Sequence, residues 1–253
     1  MVRHFLTDLD LSAAEQSKIL DTAAAMKQKP HDYRTLLAGK TLGMIFQKSS
    51  TRTRVSFESG MLQLGGHAIF LSSRDIQIGR GEPITDTGAV LSRYVDAIMI
   101  RTFAHEEVQS LAKASRVPVI NGLDDLLHPC QVLADLQTIR EHHGKVEGKQ
   151  LVYVGDGNNV ANSLMQGGAL AGLHVRVVTP KDFAPKNDIV TRARKVASET
   201  GAVIEVSHDL FAVEGADAVY TDVWASMGQE EEAERRRQAF AGFEVDAKLM
   251  ARA

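Results

Sequence analysis

Short apolar runs alternate with longer amphipathic stretches along almost the whole chain, and this alternation limits the possible folds more than any other feature. The runs at residues 41–46 and 151–155, for example, are each followed by a segment with helical periodicity. Strands that alternate with helices form parallel sheets covered by helices on both faces. A polar, Gly-bearing stretch at 143–149 interrupts the series, and we place a domain boundary there. The sequence therefore predicts an α/β protein of two doubly wound domains, residues 1–145 and 149–253.

Composition narrows the class of protein. With 44% hydrophobic and 24% charged residues, the 253-residue chain is typical of a soluble globular protein. Its net charge of −3 gives no basic field for nucleic acid. The only cysteine, Cys130, rules out an internal disulfide and is compatible with the cytoplasm, where it could be simply a buried small hydrophobe. No secretory signal is visible, and no apolar run reaches the roughly 18 residues of a membrane span.

A hydroxyl-rich, arginine-bearing turn at residues 46–54 joins the first strand to the next helix. Ser50, Thr51 and Thr53 supply hydroxyls, and Arg52 and Arg54 supply guanidinium groups. A helix start offers free backbone N–H groups and about half a positive charge, so this turn would hold a phosphate or a similar oxyanion. The alternative is a capped helix start with two solvated arginines. Two cations in the first turn oppose the helix dipole unless an anion is present, which favours the anion site.

Other polar residues fall at predicted strand ends, where parallel sheets place their binding groups. Arg101 closes one strand, His128 and Gln131 open a helix on one face, and Asp222 follows a late strand. Each has a plainer alternative: an arginine paired with an acidic neighbour, or a histidine with no ligand. The turn at 155–159 is a weak nucleotide-loop match, because it lacks the third glycine of that motif.

Taken in order, six stretches resemble the aspartate/ornithine carbamoyltransferase family. They are S-T-R-T-R (50–54), Q-I-G-R-G-E (77–82), I-R (100–101), H-P-C-Q (128–131), G-D-G-N-N (155–159) and D-V-W-A-S-M-G (222–228). The resemblance covers essentially the whole chain, and the last two stretches point to the ornithine branch of the family.

The resemblance implies a carbamoyltransferase with its active site in the cleft between the two domains. The first domain would bind carbamoyl phosphate and the second ornithine, giving citrulline and phosphate in arginine biosynthesis, with no metal or organic cofactor. A cytoplasmic homotrimer is implied, with Gln77 on a loop at the subunit interface. The carbamoyl phosphate residues implied are Ser50, Thr51, Arg52, Thr53, Gln77, Arg101, His128 and Gln131. The ornithine residues implied are Asn159, Asp222, Ser226 and Met227. Arg52, Arg101 and His128 would be the catalytic residues.

The chemistry of these residues fits those roles. The turn suits the dianionic phosphate, and Arg101, His128 and Thr53 can donate to the carbonyl oxygen as it gains charge. Gln131 can read the carbamoyl amide, which needs both a donor and an acceptor. Asp222 suits an α-ammonium group.

The sequence also departs from the family pattern. Family members continue into a further strand with an H-C-L-P stretch, a later arginine and a final helix, so residues 149–253 are expected to be an incomplete ornithine domain. We therefore expect this polypeptide to have impaired activity. Three alternatives stay open: aspartate or putrescine as the acceptor, a non-catalytic carbamoyl-phosphate-binding fragment, and a nucleotide-binding oxidoreductase. The oxidoreductase is disfavoured, because no acidic residue closes a strand about 20 residues after the 155–159 turn.

Overall fold

A computed structural model describes residues 2–224 and 232–253 of the chain. Two compact units are distinguished: unit 1 comprises Met1–Leu11 and Lys18–Cys130, and unit 2 comprises Ser12–Ser17 and Gln131–Ala253. The division between the units falls after Cys130, at the start of a helix, and most of that helix belongs to unit 2. The predicted domain boundary at 143–149 instead lies after the helix.

Unit 1 contains a four-stranded parallel sheet in the order β2-β1-β3-β4. Its strands are β1 (Thr41–Phe46), β2 (His67–Ser72), β3 (Ala97–Arg101) and β4 (Val119–Leu123). Its main helices are α2 (Thr51–Gln63), α3 (Ile84–Leu91) and α4 (His105–Ala114), and α1 (Ala13–Gln28) contributes its residues from Lys18 onward. Short 3₁₀ turns lie at Asp8–Asp10, Pro30–Tyr33 and Gln77–Arg80.

The two central strands of this sheet, β1 and β3, are apolar on both faces, because helices cover both faces. Along β1, Met44 and Phe46 belong to one buried cluster, and Ile45 between them belongs to another. Ile100 on β3 joins the Ile45 cluster, and Met99 joins the Met44 cluster. The two-residue period of a strand sends alternate side chains to opposite faces, so a continuous apolar run is what a doubly covered strand requires.

Unit 2 contains a second four-stranded parallel sheet in the order β7-β6-β5-β8. Its strands are β5 (Gln150–Val154), β6 (His174–Val178), β7 (Ile204–Ser207) and β8 (Ala218–Thr221). Its helices are α5 (Pro129–His143), α6 (Asn159–Leu170), α7 (Asn187–Thr200), α8 (Ala233–Ala239) and α9 (Ala247–Met250), with 3₁₀ turns at Lys181–Phe183 and Leu210–Val213.

Each sheet has a switch point, a place where the chain reverses its direction of progress across the sheet. In unit 1 the chain passes from β1 outward to β2 and then returns to place β3 on the other side of β1. In unit 2 the chain passes from β5 through β6 to β7 and then returns to place β8 beside β5. The loops at a switch point diverge and leave a crevice beyond the carboxyl ends of the strands, where ligands of such sheets bind.

The predicted fold class and strand order along the chain are confirmed. The predicted capping box at the start of α1 is present, since Ser12 N donates to Glu15 at 2.9 Å and Glu15 N donates to Ser12 at 3.3 Å. The helix predicted from residue 230 onward instead divides into α8 and α9, and Gly242, with φ of 91°, lies between them. Across the described ranges, no helix combines the length and the apolar character that crossing a membrane needs.

Candidate functional site

The turn between β1 and α2 lies at the switch point of unit 1. Ser50 is the N-cap of α2: its backbone is extended, and its hydroxyl oxygen accepts a hydrogen bond from Thr53 N at 3.3 Å. The Ser50 hydroxyl in turn donates to Thr53 Oγ1 at 3.1 Å. The N–H groups of a first helical turn have no partner within the helix, so this cap leaves the helix start able to bind an anion.

Arg101, at the end of β3, contacts the same turn from the other strand of the switch point. It ends β3 in register with Phe46 of β1, and its Nη1 donates to Thr53 Oγ1 at 3.3 Å. Burial and the nearby Arg52 lower the pKa of Arg101 to about 10, so the group stays charged at neutral pH. Two guanidinium groups repel each other in this turn, and an oxyanion between them would relieve that repulsion.

The two arginines of the turn have different surroundings. Arg52 is exposed, as is Thr51 before it. Arg54 instead pairs with Glu58 through Nε at 3.0 Å, and its guanidinium lies 3.8 Å from the centre of the Phe70 ring. The guanidinium of Arg54 is therefore held by its own helix and by β2, and its role in binding the anion stays a prediction.

His128 immediately precedes α5. Burial and, second to it, the charge of Arg101 lower the pKa of His128 to about 4, although Asp124 acts in the opposite direction. The imidazole is therefore neutral at physiological pH. A neutral imidazole can donate one hydrogen bond to a carbonyl oxygen, but a group with a pKa this low is a poor base at neutral pH.

Asp124 organises the loop before His128, although no sequence motif pointed to it. Its fully buried carboxylate accepts hydrogen bonds from Asn121 Nδ2 at 2.9 Å and from two backbone N–H groups at 2.7 and 2.8 Å. His105 Nδ1 lies 2.6 Å from the same carboxylate, and this contact raises the pKa of His105. Asp124 thus fixes the backbone that leads into His128.

Lys48 is a second residue that sequence reasoning overlooked, although it lies inside the predicted turn. Its ammonium group is buried, forms an ion pair with Asp125, and lies 4.5 Å from the centre of the Phe103 ring. A buried cation with a carboxylate and an aromatic partner holds the first part of the turn against the loops after β3 and β4.

Gln77 lies in the 3₁₀ turn that follows β2, and its side chain is exposed. Within residues 2–224 and 232–253, that side chain makes no hydrogen bond, and its role at the carbamoyl phosphate site stays a prediction.

The switch point of unit 2 carries the other predicted residues. Asn158 caps α6, since its side-chain oxygen accepts from Val160 N at 3.0 Å and Ala161 N at 3.2 Å, and Asn159 is the first residue of that helix. Asp222 directly follows β8, the strand that pairs with β5. Each residue follows a strand, as predicted, and the structure shows that the two strands are neighbours in the sheet. Ser226 and Met227 lie outside the described residues.

One buried and one half-buried tyrosine lie beside Asp222. Tyr153 on β5 and Tyr220 on β8 are partners in register and stack with ring centroids 5.9 Å apart. Burial raises the pKa of both phenols, and the charge of Asp222 raises both further. The Asp222 carboxylate accepts a hydrogen bond from Val223 N at 2.8 Å. Unit 2 therefore presents a negative charge beside an aromatic floor, which suits an ammonium group.

The glycine turn of unit 2 is built for packing. A Cβ atom on Gly157 would lie 2.3 Å from Pro185 N and 2.5 Å from Phe183 O, so the segment after β6 already fills that space. Asp156 pairs with Arg236 at 2.7 Å, and both side chains are buried. Backbone atoms thus occupy the place where a dinucleotide would approach, which argues against the oxidoreductase alternative.

Gln131 lies in the first turn of α5 and belongs to unit 2. Its Nε2 donates to Asp135 Oδ1 at 2.9 Å, one helical turn further along. The sequence pattern placed Gln131 on one face with His128, but its hydrogen-bond partner among the described residues is Asp135.

Two family models match the chain. The model described as "Aspartate/ornithine carbamoyltransferase, carbamoyl-P binding domain" matches residues 3–141. The model described as "Aspartate/ornithine carbamoyltransferase, Asp/Orn binding domain" matches residues 147–253.

Curated relatives and solved structures agree with these models. The ornithine carbamoyltransferase of Oceanobacillus iheyensis is 56% identical, over 99% of this chain and 79% of the relative. That of Thermococcus kodakarensis is 53% identical, over 95% of this chain and 78% of the relative. The structure of ornithine carbamoyltransferase from Pyrococcus furiosus superimposes with a TM-score of 0.95 at 52% identity, covering 99% of this chain and 81% of that one. The anabolic ornithine carbamoyltransferase of Campylobacter jejuni gives a TM-score of 0.94 at 41% identity, covering 100% and 83%.

Proposed function

Because the chain belongs to the aspartate/ornithine carbamoyltransferase family, we propose that it transfers the carbamoyl group of carbamoyl phosphate to the δ-amine of L-ornithine. The products are L-citrulline and phosphate. Relatives that are 53–56% identical over nearly the whole chain carry the name of that enzyme, which favours ornithine over aspartate or putrescine as the acceptor.

One observation carries the donor half of the proposal: Arg101 and Ser50 meet on the Thr53 hydroxyl at the start of α2. The phosphate of carbamoyl phosphate binds the N-terminus of this helix, with the exposed Arg52 as its counter-ion. Ser50, Thr51 and Thr53 hydroxyls complete the set of donors. The carbonyl oxygen of the substrate lies toward Arg101 and His128.

Two negative charges must be stabilised during the transfer: one that develops on the carbonyl oxygen and one on the departing phosphate. The neutral δ-amine attacks the carbonyl carbon, the C=O oxygen becomes an oxyanion, and the C–O bond to phosphate then breaks. Arg101, neutral His128 and Thr53 donate to the oxyanion, and removal of one such donor typically costs about 3–4 kcal/mol of activation free energy. The departing phosphate keeps its charge on the helix start and Arg52. The proton that the amine loses goes to the departing phosphate or to solvent, because His128 with a pKa of about 4 cannot hold it at neutral pH.

The acceptor half of the proposal depends on unit 2. Asp222 binds the α-ammonium group of ornithine, and Asn159 binds its α-carboxylate or ammonium group. Ser226 and Met227 extend this site by resemblance to the family. Aspartate would bring a second carboxylate close to Asp222, and that repulsion disfavours it as an acceptor.

The proposal is tested by a matched pair of variants in the phosphate turn. Arg52→Leu and Arg54→Leu remove the same charge and the same length of side chain two residues apart. Phosphonoacetamide, a stable analogue with a methylene in place of the bridging oxygen of carbamoyl phosphate, is titrated by calorimetry. We expect Arg52→Leu to weaken its binding at least tenfold, in line with the loss of a charged hydrogen bond. Arg54→Leu should change it less than threefold.

Equal weakening by both variants would mean that the turn acts only through its net charge. No change in Arg52→Leu would refute the donor site. The acceptor is tested by incubating the chain with carbamoyl phosphate and ornithine, putrescine or aspartate in turn. Citrulline formation above the rates with the other two amines is expected, and a faster reaction with aspartate would contradict the assignment.

Further properties extend the proposal. We infer that the reaction serves arginine biosynthesis in the cytoplasm, supported by the likeness to an anabolic enzyme. A homotrimer is expected, in which Gln77 on its exposed 3₁₀ turn reaches the donor site of a neighbouring subunit. Sedimentation equilibrium tests the assembly, and a monomer with full donor affinity would exclude the role of Gln77.

A further inference from the structure

A carboxylate one helical turn beyond Gln131 has no place in the mechanism above. Asp135 Oδ1 accepts a hydrogen bond from Gln131 Nε2 at 2.9 Å. Both side chains lie on α5 and are half-buried. Pairs of Gln and Asp at this spacing are good neighbours on a helix. Here the contact has a consequence for chemistry, because the two ends of an amide group differ.

The carboxylate determines which end of the Gln131 amide faces away from it. Burial raises the pKa of Asp135 to about 6, and its contacts with Gln131 and Tyr220 limit that rise. At pH 8 Asp135 is therefore an ionised acceptor with no proton to donate. The amide must turn its NH₂ group toward Asp135, and its carbonyl oxygen is left for a ligand.

The carboxylate is itself held by its surroundings. Tyr220 of β8 contacts it, and Tyr220 stacks on Tyr153 of β5. These aromatic residues are attached to the sheet of unit 2, so Asp135 cannot easily turn away from Gln131. The orientation of the amide is thus imposed by the sheet through three packed side chains.

We propose that Asp135 is a positioning residue, which fixes the Gln131 carbonyl oxygen as the acceptor for the NH₂ group of the carbamoyl donor. The inference rests on the proposed function. It explains how this site distinguishes a carbamoyl group from an acyl phosphate of similar shape: a carbamoyl group donates two N–H bonds, and an acetyl group donates none. Without Asp135 the amide can turn over and present its own NH₂ group to the substrate, so that two donors face each other.

The test compares two ligands in calorimetric titrations of the full chain at pH 8. Phosphonoacetamide carries both the phosphonate and the amide, and inorganic phosphate carries only the anion. Asp135→Leu should weaken phosphonoacetamide binding about two- to tenfold, as expected for one hydrogen bond. Phosphate binding should change less than twofold. Asp135→Asn should weaken binding by an intermediate factor, because its amide can either accept from Gln131 or donate to it and so no longer imposes one orientation.

A double-mutant cycle with Gln131→Ala separates positioning from structural damage. In the Gln131→Ala background, Asp135→Leu should have no further effect on phosphonoacetamide. If it weakens binding by the same factor in both backgrounds, or weakens phosphate equally, the inference is overturned. Asp135→Ala serves in the same cycle if the leucine variant does not fold.

The proposed function fails in a distinguishable way. If Gln131→Ala alone leaves phosphonoacetamide binding unchanged, Gln131 does not read the carbamoyl group, and the role of Asp135 falls with it. If the unaltered chain binds neither ligand, the donor site itself is refuted.

Discussion

Replacement of Gly157 by alanine should destabilise unit 2 strongly. A Cβ atom at this position would lie 2.3 Å from Pro185 N, 2.5 Å from Phe183 O and 2.6 Å from Ala184 C. All three are backbone atoms, so no side-chain rotation can relieve the contacts. In addition, Gly157 N donates to Phe183 O at 2.8 Å, and any movement apart weakens that hydrogen bond.

The size of the effect follows from the shift required. Separating these atoms to ordinary contact distance moves the turn by about 1 Å, and overpacking of this kind costs typically about 1–3 kcal/mol. Because the clash is with backbone and a hydrogen bond is strained too, we expect the upper end, about 3 kcal/mol. That is a large share of the roughly 5–15 kcal/mol that stabilises an ordinary domain.

The single tryptophan makes the measurement specific to unit 2. Trp224 stacks on the buried Phe240 with ring centroids 5.9 Å apart, so its fluorescence reports the unfolding of this unit. The urea midpoint should fall by about 1–2 M. Gly60→Ala on α2 of unit 1 is the control, because nothing lies within 4 Å of its Cβ position, and the midpoint that Trp224 reports for unit 2 should not fall. An unchanged midpoint in Gly157→Ala would refute the packing proposed for this turn.

Three further predictions concern buried and exposed charges. Arg236→Met leaves Asp156 as an uncompensated buried carboxylate, so the free energy of unfolding of unit 2 should fall by about 3–5 kcal/mol in the same urea assay. His128 binds a proton more weakly in the folded chain than in the unfolded chain. Its contribution to the free energy of unfolding should therefore fall by about 3 kcal/mol in all as the pH drops from about 6.5 to about 4. The difference between the unaltered chain and His128→Gln in thermal melts isolates this contribution. Arg54→Gln loses a half-exposed ion pair and a contact with the Phe70 ring, so stability should fall by less than about 1 kcal/mol in urea melts.

Each of these has a contrary outcome. The prediction for Arg236→Met is tested further by the Asp156→Leu, Arg236→Met double variant. Removing both charges should recover stability, so a double variant no more stable than Arg236→Met would contradict the prediction. A stability difference for His128→Gln that does not change between pH 6.5 and 4 would show that the imidazole binds a proton no more weakly in the folded chain than in the unfolded chain. A loss above 2 kcal/mol in Arg54→Gln would mean that this arginine does more than pair with its neighbours.

Local patterns predicted the elements well, because the residues that decide them are adjacent in the chain. The capping box at Ser12 and the glycine stop after Leu64 lie where the sequence placed them. The clustering of Arg101 with the hydroxyl turn was also predictable in outline, since strand ends gather at one edge of a parallel sheet. The order of strands across each sheet, and hence the switch points, was not predicted, because no local pattern encodes which strands become neighbours.

The contacts that sequence reasoning missed join residues far apart or depend on burial. Asp156 and Arg236 are 80 residues apart, and neither has a motif that names the other. Arg54 was assigned to the anion because its type and position fitted, whereas the nearby Phe70 ring, from another strand, holds its guanidinium. The Gln131 and Asp135 pair is different, because its spacing of four residues on a helix is visible in the sequence. The contact was missed because Gln131 was grouped with His128, three residues before it.

Arg101 holds the turn at residues 46–54 both through its backbone and through its side chain. Its carbonyl oxygen accepts from Gln47 N at 2.9 Å and Lys48 N at 3.4 Å, while its side chain donates to Thr53. Any residue supplies the carbonyl, but only arginine supplies the fork. Natural variation or engineering at this position can therefore abolish chemistry while leaving the loop correctly shaped, and a folded but catalytically silent protein is the outcome to expect.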